Sequence, residues 1–98
     1  MDWSTEEDKA CCKACVDKYV ISDAVMDCED FVDSVSSLPE FQRTGRDKGS
    51  IRMKIQNIKS LLDKLHIKNS VPISPLGNAS KQSRMVLKEI LKEHGLIS

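Results

Sequence analysis

Apolar residues recur along this chain at helical spacing. The cleanest run lies in residues 47–65, where Ile51, Ile55, Ile58, Leu62 and Leu65 alternate steps of four and three and so share one stripe of a helix. Upstream, Cys12, Cys15, Val16, Tyr19 and Val20 form a second stripe, and Val25, Cys28, Val32 and Val35 a third. Downstream, Met85, Val86, Leu87, Ile90 and Leu91 make a broader apolar side. Ser4-Thr5-Glu6-Glu7 has the form of a capping box, Asp47 suits an N-cap, Asn78 or Ser80 suits another, and Gly95 fits the position just past a helix end. Pro39 reads as a stop for the second helix. The pattern therefore predicts helices over about 5–20, 24–37, 48–65 and 79–94. Together they form one all-α domain over residues 1–98, a small bundle of three to four helices.

Two connections remain. Residues 39–46 read as a short link in which Gly45 is the candidate for positive φ. Residues 66–78, with Pro72, Pro75 and Gly77, read as a loop. Its apolar members Ile67, Val71, Ile73 and Leu76 are expected to pack over the core.

Size and composition narrow the class. Ninety-eight residues suit one domain with a modest core, mostly aliphatic because Trp3, Tyr19, Phe31 and Phe41 are the only aromatic residues of their kinds. No run approaches the roughly 18 apolar residues of a membrane span. The opening MDWSTEED is acidic where a secretory signal is basic and then apolar, so a cytoplasmic protein is expected. The net charge of zero hides a division: residues 1–40 hold 11 acidic and 3 basic side chains, residues 41–98 hold 4 acidic and 12 basic. A chain divided in this way presents either a basic surface for nucleic acid or an acidic one for a basic protein.

Two helices, a short turn and a basic third helix make a helix-turn-helix pattern. Between Arg43 and Lys59 there are six basic residues and one acidic residue. Lys48, Arg52 and Lys59 are placed for phosphates, and Arg52 or Gln56 for a base edge. Arg43 and Arg46 in the turn, with Lys54 beside the apolar stripe, are placed to anchor the backbone. The expected function is a small non-enzymatic DNA-binding module that uses this helix on double-stranded DNA. Asn57 is expected to tether the loop that contains Asn78 and Ser80, and Lys54 to bury its stem with a free ammonium. The alternative is a protein-binding adaptor, or a phage or mobile-element inhibitor of a nucleic-acid-handling enzyme such as a CRISPR nuclease. In that reading the acidic N-terminal half, through the face of Glu29, Asp30 and Asp33 or through the first helix, occupies the basic groove of the partner.

The residues also resemble known families. Trp3-Ser4-Thr5-Glu6-Glu7-Asp8 with Arg43-Thr44 resembles the start and turn of Myb or SANT repeats, although Trp3 is the only tryptophan. Over residues 41–90, Arg43-Thr44, then Ser50-Ile51-Arg52-Met53-Lys54-Ile55-Gln56-Asn57-Ile58, then Pro75-Leu76-Gly77-Asn78-Ala79-Ser80-Lys81 resemble the N-terminal helical module that precedes the nuclease domain in some bacterial HNH endonucleases. The resemblance implies a helical, nucleic-acid-associated module of bacterial or phage setting. It carries no nuclease activity to this chain, whose only histidines are His66 and His94.

Other chemistry finds less footing. Cys12 and Cys15 have a C-x-x-C spacing, but with Cys11 pointing away from Cys12 on one helix, the four cysteines do not converge on a metal, and core thiols are expected. No cofactor is implied. His66 and His94 suit helix ends. No nucleophile sits near a base and no glycine loop cradles phosphate, so no enzyme is expected. No surplus apolar face marks an oligomer contact; the last helix is the one to carry it if two copies associate.

Overall fold

The computed structural model describes residues 2–98. Among them the secondary structure is entirely helical: α1 (Thr5–Val16) running on into one π-helical turn (Asp17–Ile21), α2 (Cys28–Ser36), α3 (Pro39–Thr44), α4 (Lys48–Lys64) and α5 (Lys81–Glu93). The all-α bundle expected from periodicity is therefore found, with one more short helix than expected.

Helix α1 is the hub, packing against α2, α3, α4 and α5. It starts where the capping box places it: the Ser4 hydroxyl accepts from the Glu7 amide at 3.1 Å and the Ser4 amide donates to the Glu7 carboxylate at 3.0 Å. Because α1 is enclosed on several sides, Cys11, which points away from Cys12, is as buried as Cys12 and Cys15. At the end of α1 the Ser22 amide bonds to the Asp17 carbonyl, the five-residue step of a π-turn. There Tyr19 is buried with its ring edge-on to Phe31 at 4.7 Å, and its hydroxyl donates to the Met26 carbonyl.

The second helix starts four residues later than its apolar spacing predicts. Asp23 adopts φ of 49°, the Ser70 hydroxyl ties down the Ala24 carbonyl, and Asp27 caps α2 by accepting from the Glu29 amide. Val25 consequently stands fully exposed instead of joining the core. Pro39, read as a stop, is also a start. It occupies the first turn of α3, where its fixed φ fits and its missing N–H costs nothing. Phe41 on α3 is buried against Trp3, with ring centroids 5.6 Å apart.

Gly45 ends α3 with φ of 65°, as expected, and Asp47 caps α4 through the Ser50 amide at 2.8 Å. The stripe Ile51, Ile55, Ile58 and Leu62 is fully buried. The long loop covers the core, burying Val71 and half-burying Ile67 and Ile73, whereas Leu76, expected to pack with them, stays exposed. Ser80, of the two candidates, caps α5 by accepting from the Ser83 amide, and Gly95 follows α5 at φ of 70°.

Candidate nucleic-acid interface

Two carboxylates at the start of α1 decide what happens to the basic residues of the turn and of α4. Glu7 receives Arg46 in a bidentate pair, Nε to one oxygen at 2.9 Å and Nη2 to the other at 2.8 Å, and accepts the Thr44 hydroxyl at 3.1 Å. The Arg46 hydrogen bonds hold the Glu7 carboxyl down at about 2, against burial, which pushes the other way. Asp8, wholly buried, lies 3.0 Å from the Lys54 ammonium and accepts the Ser83 hydroxyl and the Gln82 amide. Lys54 in turn donates to Ser83 Oγ at 2.6 Å. The Trp3 ring closes this cluster, with the Arg46 guanidinium 4.8 Å and the Lys54 ammonium 4.7 Å from its centroid.

Arg46 and Lys54 are therefore structural. With side chains only 7% exposed, neither reaches a phosphate, and the free ammonium expected of Lys54 is corrected. The signal was present in the sequence. Asp8 precedes Cys12, Cys15 and Tyr19 on the apolar stripe of α1, and Lys54 falls three residues after Ile51 and four before Ile58.

Of the remaining candidates, Lys59 is mostly covered and engages Asp63 at 3.2 Å and Asn69 at 3.0 Å. Gln56 donates to the Ser74 carbonyl and is half-buried under the loop, so it is not displayed as a base reader. Arg43, Lys48 and Arg52 are exposed, each beside a carboxylate: Glu6 at 3.8 Å, Asp33 at 2.8 Å, and Glu29 in direct contact. The acidic candidates Glu29 and Asp33 are thus the partners of the basic ones, while Asp30 is exposed with no ion pair among the described residues. The charge division of the sequence closes on itself where α2 meets α4.

The residues that carried the family resemblance have structural work. The Asn57 amide, its orientation assigned from its surroundings, donates to the carbonyls of Leu76 at 2.7 Å and Gly77 at 2.9 Å, and the Leu76 amide donates to the Gln56 carbonyl. The expected tether exists, although it grips the loop two residues before Asn78. This loop covers Gln56 and Lys59 on the second half of α4, while the first turns and the end at Lys64 stay exposed.

Five other cations gather elsewhere. Lys64 at the end of α4 and Lys81, Arg84, Lys88 and Lys92 on α5 have no hydrogen-bond or ion-pair partner among the described residues. A groove of about 340 Å³ runs between the helices, floored by Leu61, Leu65 and Ala79 and rimmed by Lys64, Arg84 and Lys88.

The four cysteines are buried, unpaired thiols of the core. A hydrogen bond with Cys11, then burial, pushes the Cys15 thiol well above its ordinary value, and burial does the same to Cys12. Among the described residues no group of three or more His, Cys, Asp or Glu is placed to hold a metal ion, and no helix is long and apolar enough to cross a membrane. Comparison with protein-family models, curated proteins and solved structures finds no match for the chain.

Proposed function

We propose that this chain is a small non-enzymatic DNA-binding module of helix-turn-helix type. The observation that carries the reading is the sequence α3, with Arg43 exposed, a three-residue turn opened by left-handed Gly45, and α4, whose first turns display Lys48 and Arg52. The N-terminal residues of the second helix are the ones such motifs direct at base edges. The carboxylates now facing these cations are no barrier in kind. Exposed pairs of this type contribute about 0–1 kcal/mol each, so a phosphate can take the place of a carboxylate. The resemblance to the HNH-associated helical module points the same way.

The test is fluorescence anisotropy of a labelled mixed-sequence duplex titrated at 50 mM and 200 mM salt. Wild-type protein is expected to bind at the lower salt and to weaken at the higher. Lys48→Gln with Arg52→Gln is expected to bind less tightly, with a logarithmic salt slope shallower by about 2. Absence of wild-type binding at 50 mM salt overturns the reading.

A further inference from the structure

The exposed cations of α3 and of the first turns of α4 leave little net positive charge there, because Arg43, Lys48 and Arg52 are matched by Glu6, Asp33 and Glu29. A polyanion needs a surface where cations outnumber carboxylates, and the fold provides one on α5. Lys81, Arg84, Lys88 and Lys92 follow one another at steps of three, four and four, so they share the outward stripe of that helix, opposite its buried residues Ser83, Val86, Leu87, Ile90 and Leu91. The two acidic residues of α5, Glu89 and Glu93, lie on the flank that meets Lys9 and Lys13 of α1. The other flank carries Arg84 and Lys88 to the groove, where Lys64 of α4 adds a fifth cation.

The helix dipole accounts for Lys92 in the last turn of α5 but not for the first turn. The first turn of α5 contains no acidic residue and begins with Lys81, a cation at the helix end whose dipole favours anions. Its amides and its cations instead point the same preference toward a negatively charged ligand.

On this basis, which rests on the DNA-binding reading, we propose that the α5 stripe with Lys64 is the main phosphate-binding surface of the protein. Its occupant is the sugar-phosphate backbone of duplex DNA. At 1.5 Å per residue, the stripe from Lys81 to Lys92 is about 16 Å long. A stripe of that length spans several successive phosphates of a duplex, so its cations can engage more than one of them at once. Met85, exposed in the middle of the stripe, offers no competing charge.

The experiment compares the full chain with two variants on the same duplex: Lys81→Gln, Arg84→Gln, Lys88→Gln, Lys92→Gln on α5, and Lys48→Gln, Arg52→Gln on α4. All of these side chains are exposed, and circular dichroism with thermal melting checks that both variants keep the fold. The expected result is that the α5 variant loses at least tenfold in affinity at 100 mM salt. Its logarithmic salt slope is expected to flatten by about 3 to 4, against about 2 for the α4 variant. If wild type binds and the α5 variant binds equally well, the stripe is a solvated face and the proposal is overturned while the DNA-binding reading stands. If wild type does not bind at all, both fall. Equal loss on heparin and on duplex would overturn the assignment of duplex DNA as the occupant.

Discussion

Glu7 serves two elements at once, closing the N-terminus of α1 and anchoring the turn before α4 through Arg46. Its carboxyl, held at about 2 where 4.5 is ordinary, ties stability to pH. A depressed carboxylate contributes fully above its unfolded value and loses that contribution as pH falls from about 4.5 toward 2. The magnitude is on the order of 3 kcal/mol. Glu7→Gln is therefore expected to be less stable than wild type at pH 7 and to approach it by pH 2.5, as measured by urea unfolding at both pH values. A gap that stays constant with pH would mean that the pair with Arg46 does not control the acid limb. Little of this was legible beforehand. The capping spacing of Ser4 and Glu7 showed that Glu7 faces back toward the cap, but nothing local shows that a turn some forty residues away returns an arginine to the same oxygens.

At the scale of elements, spacing located what lies in the interior of a helix and missed what sets its ends. Four of the five positions in the expected stripe of α4, Ile51, Ile55, Ile58 and Leu62, are fully buried because their spacing repeats through the helix, while the burial of Lys54, Ser60 and Leu61 beside them has no such period. Helix α3 was missed because one proline signals both the end of a helix and the first turn of another, and six residues are too few to show a period. The late start of α2 had no local sign either, since it depends on Ser70 reaching the Ala24 carbonyl from the far loop. Gly45 was legible, as only a residue without a side chain adopts its left-handed turn cheaply, and it joins α3 to α4 with open space around its α-carbon. Gly45→Ala therefore meets backbone strain and no clash. It is expected to lower stability by about 1 kcal/mol in urea unfolding without abolishing the fold. A neutral or stabilising effect would show that the turn relaxes.

Across the whole molecule, charges are matched in two ways. On the surface, α2 and α4 exchange exposed pairs. In the interior, Asp8 and Lys54 join α1, α4 and α5 through Ser83 and Gln82. In the sequence, exposed cations such as Arg52 and buried ones such as Arg46 and Lys54 stand together as one candidate interface. The buried ones looked the same there, because charge counts do not distinguish a side chain facing water from one facing a carboxylate. Lys54→Met leaves Asp8 buried without its cation and is expected to cost about 3–5 kcal/mol. Adding Asp8→Asn is expected to recover part of that loss, and a double-mutant cycle in urea unfolding measures the coupling. Additive effects of the two changes would show that the pair is not coupled.

The Trp3 ring, lodged between Arg46 and Lys54 and edge-on to Phe41, is the single indole of the chain. It sits on the segment leading into α1, where the buried pairs meet. Its emission therefore watches one place, the seal over those pairs, while far-UV dichroism watches the helices. If the seal opens before the helices melt, the two signals separate on heating. A protein with one tryptophan, excited where tyrosine does not absorb, thus carries at its electrostatic centre its own reporter of local opening, free of any attached dye.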